Sequence, residues 1–169
     1  MGTLIILRGN SGSGKTTVAK ALQERFGENT LLISQDMVRR EMLRVRDGAD
    51  TKALPLLEAL LRFGHGHSAV VILEGILRAE WYGPLFELAV RLYGGSMYAY
   101  YFDLPFEETV RRHGTKPNCR DFGPEDMRAW WREKDFSDVL HETVIPPEKD
   151  AERVVEEIYS AVRLERRRV

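Results

Sequence analysis

Residues 9–16 read Gly-Asn-Ser-Gly-Ser-Gly-Lys-Thr, an order of residue types suited to holding a polyphosphate. Glycines let successive backbone N–H groups turn inward around an anion, where side chains would collide. A helix that starts there points its positive end at the same charge. Lys15 has the reach for β- and γ-phosphates, and the Thr16 hydroxyl is a hard oxygen ligand for magnesium. Gly9, Asn10, Ser11, Gly12, Ser13, Gly14, Lys15, Thr16 and Thr17 are therefore the expected cofactor-binding residues, with a nucleoside triphosphate and Mg2+ as the cofactors.

Two carboxylates stand where chemistry is expected. Glu74 ends the apolar run Val70-Val71-Ile72-Leu73, at the edge where parallel sheets bind ligands. With Thr16 it is the expected metal-site residue, and it could instead order the attacking group; the plainer reading is a cap on the turn at Gly75. Asp36 follows the run Thr30–Ser34 and has the chemistry to take a proton from an acceptor hydroxyl. Arg39, one turn on, suits an anionic acceptor. The rival for Asp36 is a helix N-cap paired with Arg40.

A basic group, Arg111, Arg112, Lys116, Arg120, Arg128 and Arg132, spans a polar segment that suits a lid closing over phosphates. Arg112 and Arg128 are the expected catalytic arginines, stabilising charge on the transferring phosphoryl beside Lys15 and Asp36. Other features carry less. Asp121-Phe122-Gly123 matches a protein-kinase triplet in a chain too short for that fold and without its His-Arg-Asp loop. Gly64-His65-Gly66-His67 lacks a third metal ligand and reads as a surface turn. Trp130 and Trp131 are adjacent, so one helix face can bury only one of them.

The elements that must position these groups alternate between short apolar runs and amphipathic stretches, the pattern of βα units. Strands are expected over Thr3–Arg8, Thr30–Ser34, Ala69–Leu73, Met97–Phe102 and Thr143–Ile145. Helices are expected over Gly14–Phe26, Gln35 to about Val45, Ala53–Phe63 with Gly64 as a stop, Pro84–Tyr93 and Pro105–His113. A short helix starting at Pro124 and a last one from Ala151, closing on Arg166-Arg167-Arg168, complete the set. The 169 residues fit one domain, 1–169. A formal charge of −1 argues against a globally basic nucleic-acid binder, and the lone Cys119 rules out an internal disulfide or a thiolate metal cage. No apolar run approaches the roughly 20 residues of a membrane span, and a cytoplasmic location is expected.

Taken together, Gly9–Thr16, Glu74-Gly75 and Asp36-x-x-Arg39 resemble the small P-loop kinases of the nucleoside-monophosphate-kinase-like superfamily. The Asp-x-x-Arg is similar to that of phage-type polynucleotide 5′-hydroxyl kinases, zeta-toxin-like kinases and antibiotic-phosphorylating kinases. The resemblance implies that Asp36 is the general base and that Arg39 touches the acceptor. It also implies a three-layer α/β/α P-loop NTPase fold, with a five-stranded parallel sheet and a helical lid over about 114–135. One departure bears on substrate: Glu74-Gly75-Ile76-Leu77-Arg78 stands where monophosphate kinases commonly carry Asp-Gly-x-Pro-Arg. The expected activity is ATP- and Mg-dependent transfer of the γ-phosphoryl group to a hydroxyl of a small molecule. The alternatives are a polynucleotide 5′-hydroxyl kinase, with a basic track along Arg39, Arg40, Arg44 and Arg46, and a regulatory ATPase with no acceptor.

Overall fold

The computed structural model describes residues 2–117 and 119–166. Its sheet has five strands, β1 (Thr3–Gly9), β2 (Thr30–Ser34), β3 (Val70–Gly75), β4 (Met97–Phe102) and β5 (Thr143–Ile145). All pairings are parallel, in the spatial order β2-β3-β1-β4-β5. β1 is bonded to β3 on one side and β4 on the other, which is why Leu4-Ile5-Ile6-Leu7 is an unbroken apolar run.

Side chains alternate across the sheet and build one core on each face. Leu4 and Ile6 pack with α2 (Ala53–His67) and α3 (Ala79–Tyr93) through Leu57, Leu61, Tyr82 and Phe86. Ile5 and Leu7 pack with α1 (Lys15–Phe26) and α6 (Ala151–Arg166) through Val18, Leu22, Val154 and Ile158. α4 (Phe106–Gly114) and α5 (Pro124–Trp130) belong to the excursion between β4 and β5. The result is the expected three-layer α/β/α architecture. The chain leaves β1 toward β2 on one side and, after β3, passes to β4 on the other. That reversal opens a crevice at the carboxyl end of β1. Among the described residues no helix is long and apolar enough to cross a membrane, and Arg167 and Arg168 of the expected basic run lie outside the described residues.

Three elements differ from the sequence-based expectation. α2 runs on through Gly64-His65-Gly66-His67, so this stretch is a last helical turn and not a surface turn. Gly64 is there for packing: a Cβ on it would lie 2.6 Å from Val71 Cγ2 and 3.0 Å from Leu31 Cδ2, so its absence lets helix and sheet approach. α3 starts at Ala79, five residues before Pro84. Trp81 and Tyr82 both donate to the Arg78 carbonyl at 3.0 Å, so the helix is under way before the proline, which forfeits one amide in the second turn.

The expected helix from Gln35 is wider than an α-helix. Residues Met37–Met42 form a π turn, in which Leu43 N–H reaches the Val38 carbonyl at 3.0 Å. Such turns reposition side chains at functional sites, and this one carries Arg39 and Arg40 just after Asp36.

Candidate active site

The phosphate loop sits at the switch of the sheet, between β1 and α1. Its backbone requires glycine at two positions in particular. Gly9 has φ 147° and a Cβ there would press 2.9 Å from the Phe102 carbonyl; Gly12 has φ 77° and would press 2.5 Å from the Thr109 carbonyl. Lys15 Nζ donates to the Asn10 carbonyl at 2.8 Å and to Ser13 Oγ at 3.1 Å. Burial lowers the Lys15 pKa to about 8, with the Glu74 carboxylate opposing the shift. A charged ammonium folded back onto its own loop with little solvent suits an incoming polyphosphate.

Asn10 has a use that the motif alone does not show. Its Nδ2 donates to the Arg132 carbonyl at 2.6 Å and its Oδ1 accepts from Arg132 N–H at 3.0 Å. The side chain therefore braces the loop against the segment after α5. Ser11, Gly12, Gly14, Lys15 and Thr16 line a cavity of about 390 Å3, whereas Ser13 is fully buried beneath it and Thr17 is exposed on α1.

Glu74, 3% exposed, ends β3 beside the loop. Thr16 Oγ1 donates to its Oε2 at 3.1 Å, and Ser34 Oγ donates to its Oε1 at 2.5 Å. Three oxygen-bearing side chains from α1, β2 and β3 thus converge, which goes beyond a turn cap at Gly75. Hard oxygen donors of this kind fit magnesium, which keeps waters and takes further ligands from a bound phosphate. Among the described residues no group of three His, Cys, Asp or Glu could enclose a metal unaided.

Asp36 lines the same cavity. Although it stands at the N-cap position, its side chain makes no capping hydrogen bond. Its Oδ1 instead accepts from Arg39 Nη2 at 3.1 Å and lies 3.5 Å from Arg40 Nε. The capping half of the rival reading is therefore not seen, whereas its pairing with Arg40 is, and Arg39 joins that pair. A second cavity of about 300 Å3 adjoins the first through Arg40 and Ile76, and Arg39 lines it.

The basic segment divides differently from the sequence reading. Arg128 lies outside the phosphate cavity: its guanidinium covers the Phe106 ring at 3.5 Å and sits 4.0 Å from Glu107, in a separate cleft with Trp131. The physical reason is that α5 turns this face toward the start of α4, where an aromatic ring offers a better surface than water. Arg112 is closer to the loop. It donates to Ser13 O and Pro147 O, each at 3.1 Å, and to Glu108 at 2.7 Å, tying the phosphate loop to the chain after β5. The cation that does line the cavity from this segment is Lys116, whose pKa is lowered by burial despite the Glu74 charge. It was part of the basic cluster, but nothing local in the sequence ranked it above its neighbours.

Span 114–135 also divides. Near its end Arg78 Nη2 bonds the Trp130 carbonyl at 3.1 Å, Asn10 holds Arg132, and Asp135 is paired with Arg8. Arg8, fully buried at the end of β1, also bonds Glu142 at 2.7 Å and the Leu77 carbonyl at 2.9 Å, and its guanidinium lies 4.9 Å from the Phe86 ring centre. Sequence reading treats Arg8 only as the end of a strand. The structure makes it the anchor that pins residues 135–142 and the chain after β3 behind the site. Earlier in the span, His113 stacks on Phe122 at 4.3 Å and bonds its carbonyl at 2.9 Å, and Asp121 and Phe122 reach the cavity.

A parallel sheet in this order, with a phosphate loop after its central strand and a carboxylate at the end of β3, is the three-layer P-loop NTPase fold. The chain belongs to the AAA domain family AAA_33, which matches residues 4–133. Solved structures agree on the fold. Shikimate kinase from Acinetobacter baumannii in complex with shikimate is 19% identical, with a TM-score of 0.64 over 98% of this chain and 95% of that one. A gluconokinase from Sinorhizobium meliloti 1021 is 17% identical, with a TM-score of 0.62 over 95% and 91%. The Mycobacterium tuberculosis APS kinase CysC, in complex with AMPPNP and APS, is 14% identical, with a TM-score of 0.62 over 96% and 98%. No curated protein sequence matches the chain.

Proposed function

We propose that this chain is an ATP- and magnesium-dependent phosphotransferase that moves the γ-phosphoryl group to a hydroxyl of a small acceptor. The observation that carries the reading is that Asp36, Lys15, Thr16 and Glu74 line one cavity, so a carboxylate suited to activating a hydroxyl faces a phosphate cradle. The kinases of similar fold support it, since shikimate and APS accompany two of them.

In this reading the loop amides and Lys15 hold the β- and γ-phosphates. The ammonium, which burial disfavours, gains an anionic partner, so it stays protonated with ATP bound. Thr16 and Glu74 are the residues that would hold magnesium, which when bound supplies charge neutralisation across the phosphates. As the acceptor oxygen bonds to the γ-phosphorus, the bond to the β–γ bridging oxygen breaks and ADP leaves. The hydroxyl proton passes to the Asp36 carboxylate. Lys116 adds positive charge from the segment after α4, and 114–123 is the part of the lid span proposed to move on binding. Arg112 is proposed to leave the carbonyls of Ser13 and Pro147 and turn its guanidinium to the nucleotide, and not to act at the acceptor side.

The test is acceptor-dependent ADP release, with the Asp36→Asn variant alongside. The amide keeps the shape, and no capping bond is lost because none exists. Transfer should fall by about 10²–10⁴-fold while ATP affinity is kept. ATP consumption that no added hydroxyl compound stimulates would favour the ATPase without an acceptor, and a variant within about threefold of the parent, below that range, removes Asp36 as the base.

A further inference from the structure

Gln35 stands directly before Asp36 and is 1% exposed, yet it does not line the phosphate cavity. Its side chain is turned inward. Nε2 donates to Asp47 Oδ2 at 2.9 Å and to Tyr82 Oη at 2.8 Å, and Oε1 accepts from Leu77 N–H at 3.2 Å. Both amide hydrogens are thus in use. Tyr82 Oη in turn donates to Asp47 Oδ1 at 2.6 Å, so carboxamide, phenol and carboxylate close a ring of hydrogen bonds. Gly75 leaves the room for this side chain: a Cβ there would lie 2.6 Å from both Cβ and Oε1 of Gln35.

The bonds reach three separate stretches of chain: Leu77 after β3, Asp47 after the π turn, and Tyr82 on α3. Leu77 is a fully buried leucine at φ 46°, in the left-handed region that a residue with a Cβ adopts only at a cost. Gln35 holds its N–H, and Arg8, the residue before Gly9 of the phosphate loop, holds its carbonyl at 2.9 Å. Backbone of this kind persists where its surroundings over-determine it. The β2 ladder stops at Ser34, opposite Glu74. Beyond it, the partners of the Asp36 carboxylate, Arg39 and Arg40, follow Asp36 on the π turn and move with it. Those pairs therefore cannot set its distance from the phosphate loop. Val38, buried in the core, anchors the turn on one side of Asp36, and Gln35 anchors it on the other.

From this arrangement we infer that Gln35 is a positioning residue for phosphoryl transfer. Through the two-sided grip on Leu77 it ties the backbone of Asp36 to Arg8 at the root of the phosphate loop, and so sets the separation between the proposed base and the phosphate cradle. The inference rests on the phosphotransferase reading, in which Asp36 takes the acceptor's proton. A carboxamide suits the task. It is neutral, so its burial carries no ionic desolvation, and its donor and acceptor ends hold different loops at once. Methionine has a similar length and fills similar space, but it carries no donor for Asp47 or Tyr82 and only a weak acceptor for Leu77 N–H.

The test is a double-mutant cycle on the full chain. ADP release is measured with magnesium and saturating ATP, with water and glycerol as the acceptor probes, for the parent, Gln35→Met, Asp36→Asn and the double variant. Gln35→Met should slow turnover by about 10–100-fold, the scale of a misplaced group, with the calorimetric affinity for magnesium and AMP-PNP unchanged. In the Asp36→Asn background the same change should cost less than about threefold, because a base that is gone cannot be misplaced. A general loosening of the fold would slow both backgrounds alike. Gln35→Asn, which keeps the carboxamide but falls a methylene short of its partners, takes the place of the methionine variant if circular dichroism shows that chain unfolded, and the same pattern is expected. Equal losses in both backgrounds, a matching loss of AMP-PNP affinity, or turnover within about threefold of the parent overturns the positioning role and leaves Asp36 standing as the base. Loss of the fold in both variants overturns it too, since the role is then structural. Asp36→Asn within about threefold of the parent, below the range of a general base, removes the base and the inference with it. The two failures are told apart by which single variant is silent.

Discussion

Replacing Lys15 by methionine should stabilise the empty protein while removing its response to nucleotide. The side chain is 7% exposed, and its pKa falls from 10.5 to about 8 because burial disfavours the ammonium. At roughly 1.4 kcal/mol per pKa unit, keeping it charged at pH 7 costs the fold about 3 kcal/mol. Methionine keeps the length and loses the charge. It also loses the bonds to Asn10 O and Ser13 Oγ, each worth about 1 kcal/mol. The net gain is about 1–2 kcal/mol, a rise of roughly 2–8 °C in Tm for a chain of this size. The sign with pH follows from the same group. The unfolded chain holds the proton up to about 10.5 and the folded protein releases it near 8, so unfolding takes up a proton between those values. Wild-type stability therefore gains up to about 1.4 kcal/mol per pH unit in that window relative to the variant. The advantage of Lys15→Met is complete below pH 8 and fades toward 10.5. Magnesium with AMP-PNP at a hundred times its Kd should raise wild-type stability by about 2.7 kcal/mol and the variant's far less. Calorimetry and denaturant titration from pH 7 to pH 10 check this. A variant no more stable than wild type, with a difference that does not change with pH, would refute the account of Lys15 as a desolvated charge awaiting a phosphate.

Three further outcomes are expected. Glu74→Gln should raise the magnesium concentration needed for half-maximal ADP release by about 10–100-fold, because the carboxylate that orders Thr16 and Ser34 is gone; a magnesium titration reads this directly. Gly64→Ala should destabilise by about 1–3 kcal/mol through its clash with Val71, whereas Gly66→Ala on the same helix meets nothing within 4 Å and should stabilise by up to about 1 kcal/mol, a contrast that thermal unfolding resolves. Arg128→Ala should leave transfer within roughly threefold of wild type, since the residue covers Phe106 in another cleft; a larger loss in steady-state assays would return it to the reacting centre.

The phosphate loop and the central strand are written locally. Gly9 and Gly12 need backbone angles and clearances that few other residues meet, and β1, bonded on both edges and covered on both faces, must be a continuous apolar run. Such features survive in one dimension because they depend on neighbours a few residues away. The helix stops were less legible. Gly64 looks like a terminator by type but serves helix–sheet contact, and Pro84 looks like a start although the Arg78 carbonyl had already opened the helix.

What only the tertiary structure decided is which distant groups share a site. Glu74 meets Thr16 across 58 residues and Ser34 across 40, because β3 lies between β1 and β2 in the sheet. Arg8 joins Asp135 and Glu142 from 127 and 134 residues away. Lys116 reaches the cavity while Arg128 turns toward Phe106, and Arg78 joins Arg39, Arg40 and Arg46 around one volume. A sequence gives charge and type at each of these positions, but direction in space comes from the packing of the strands and helices that carry them. Desolvation, which sets the Lys15 pKa, exists only once those elements have closed around the side chain.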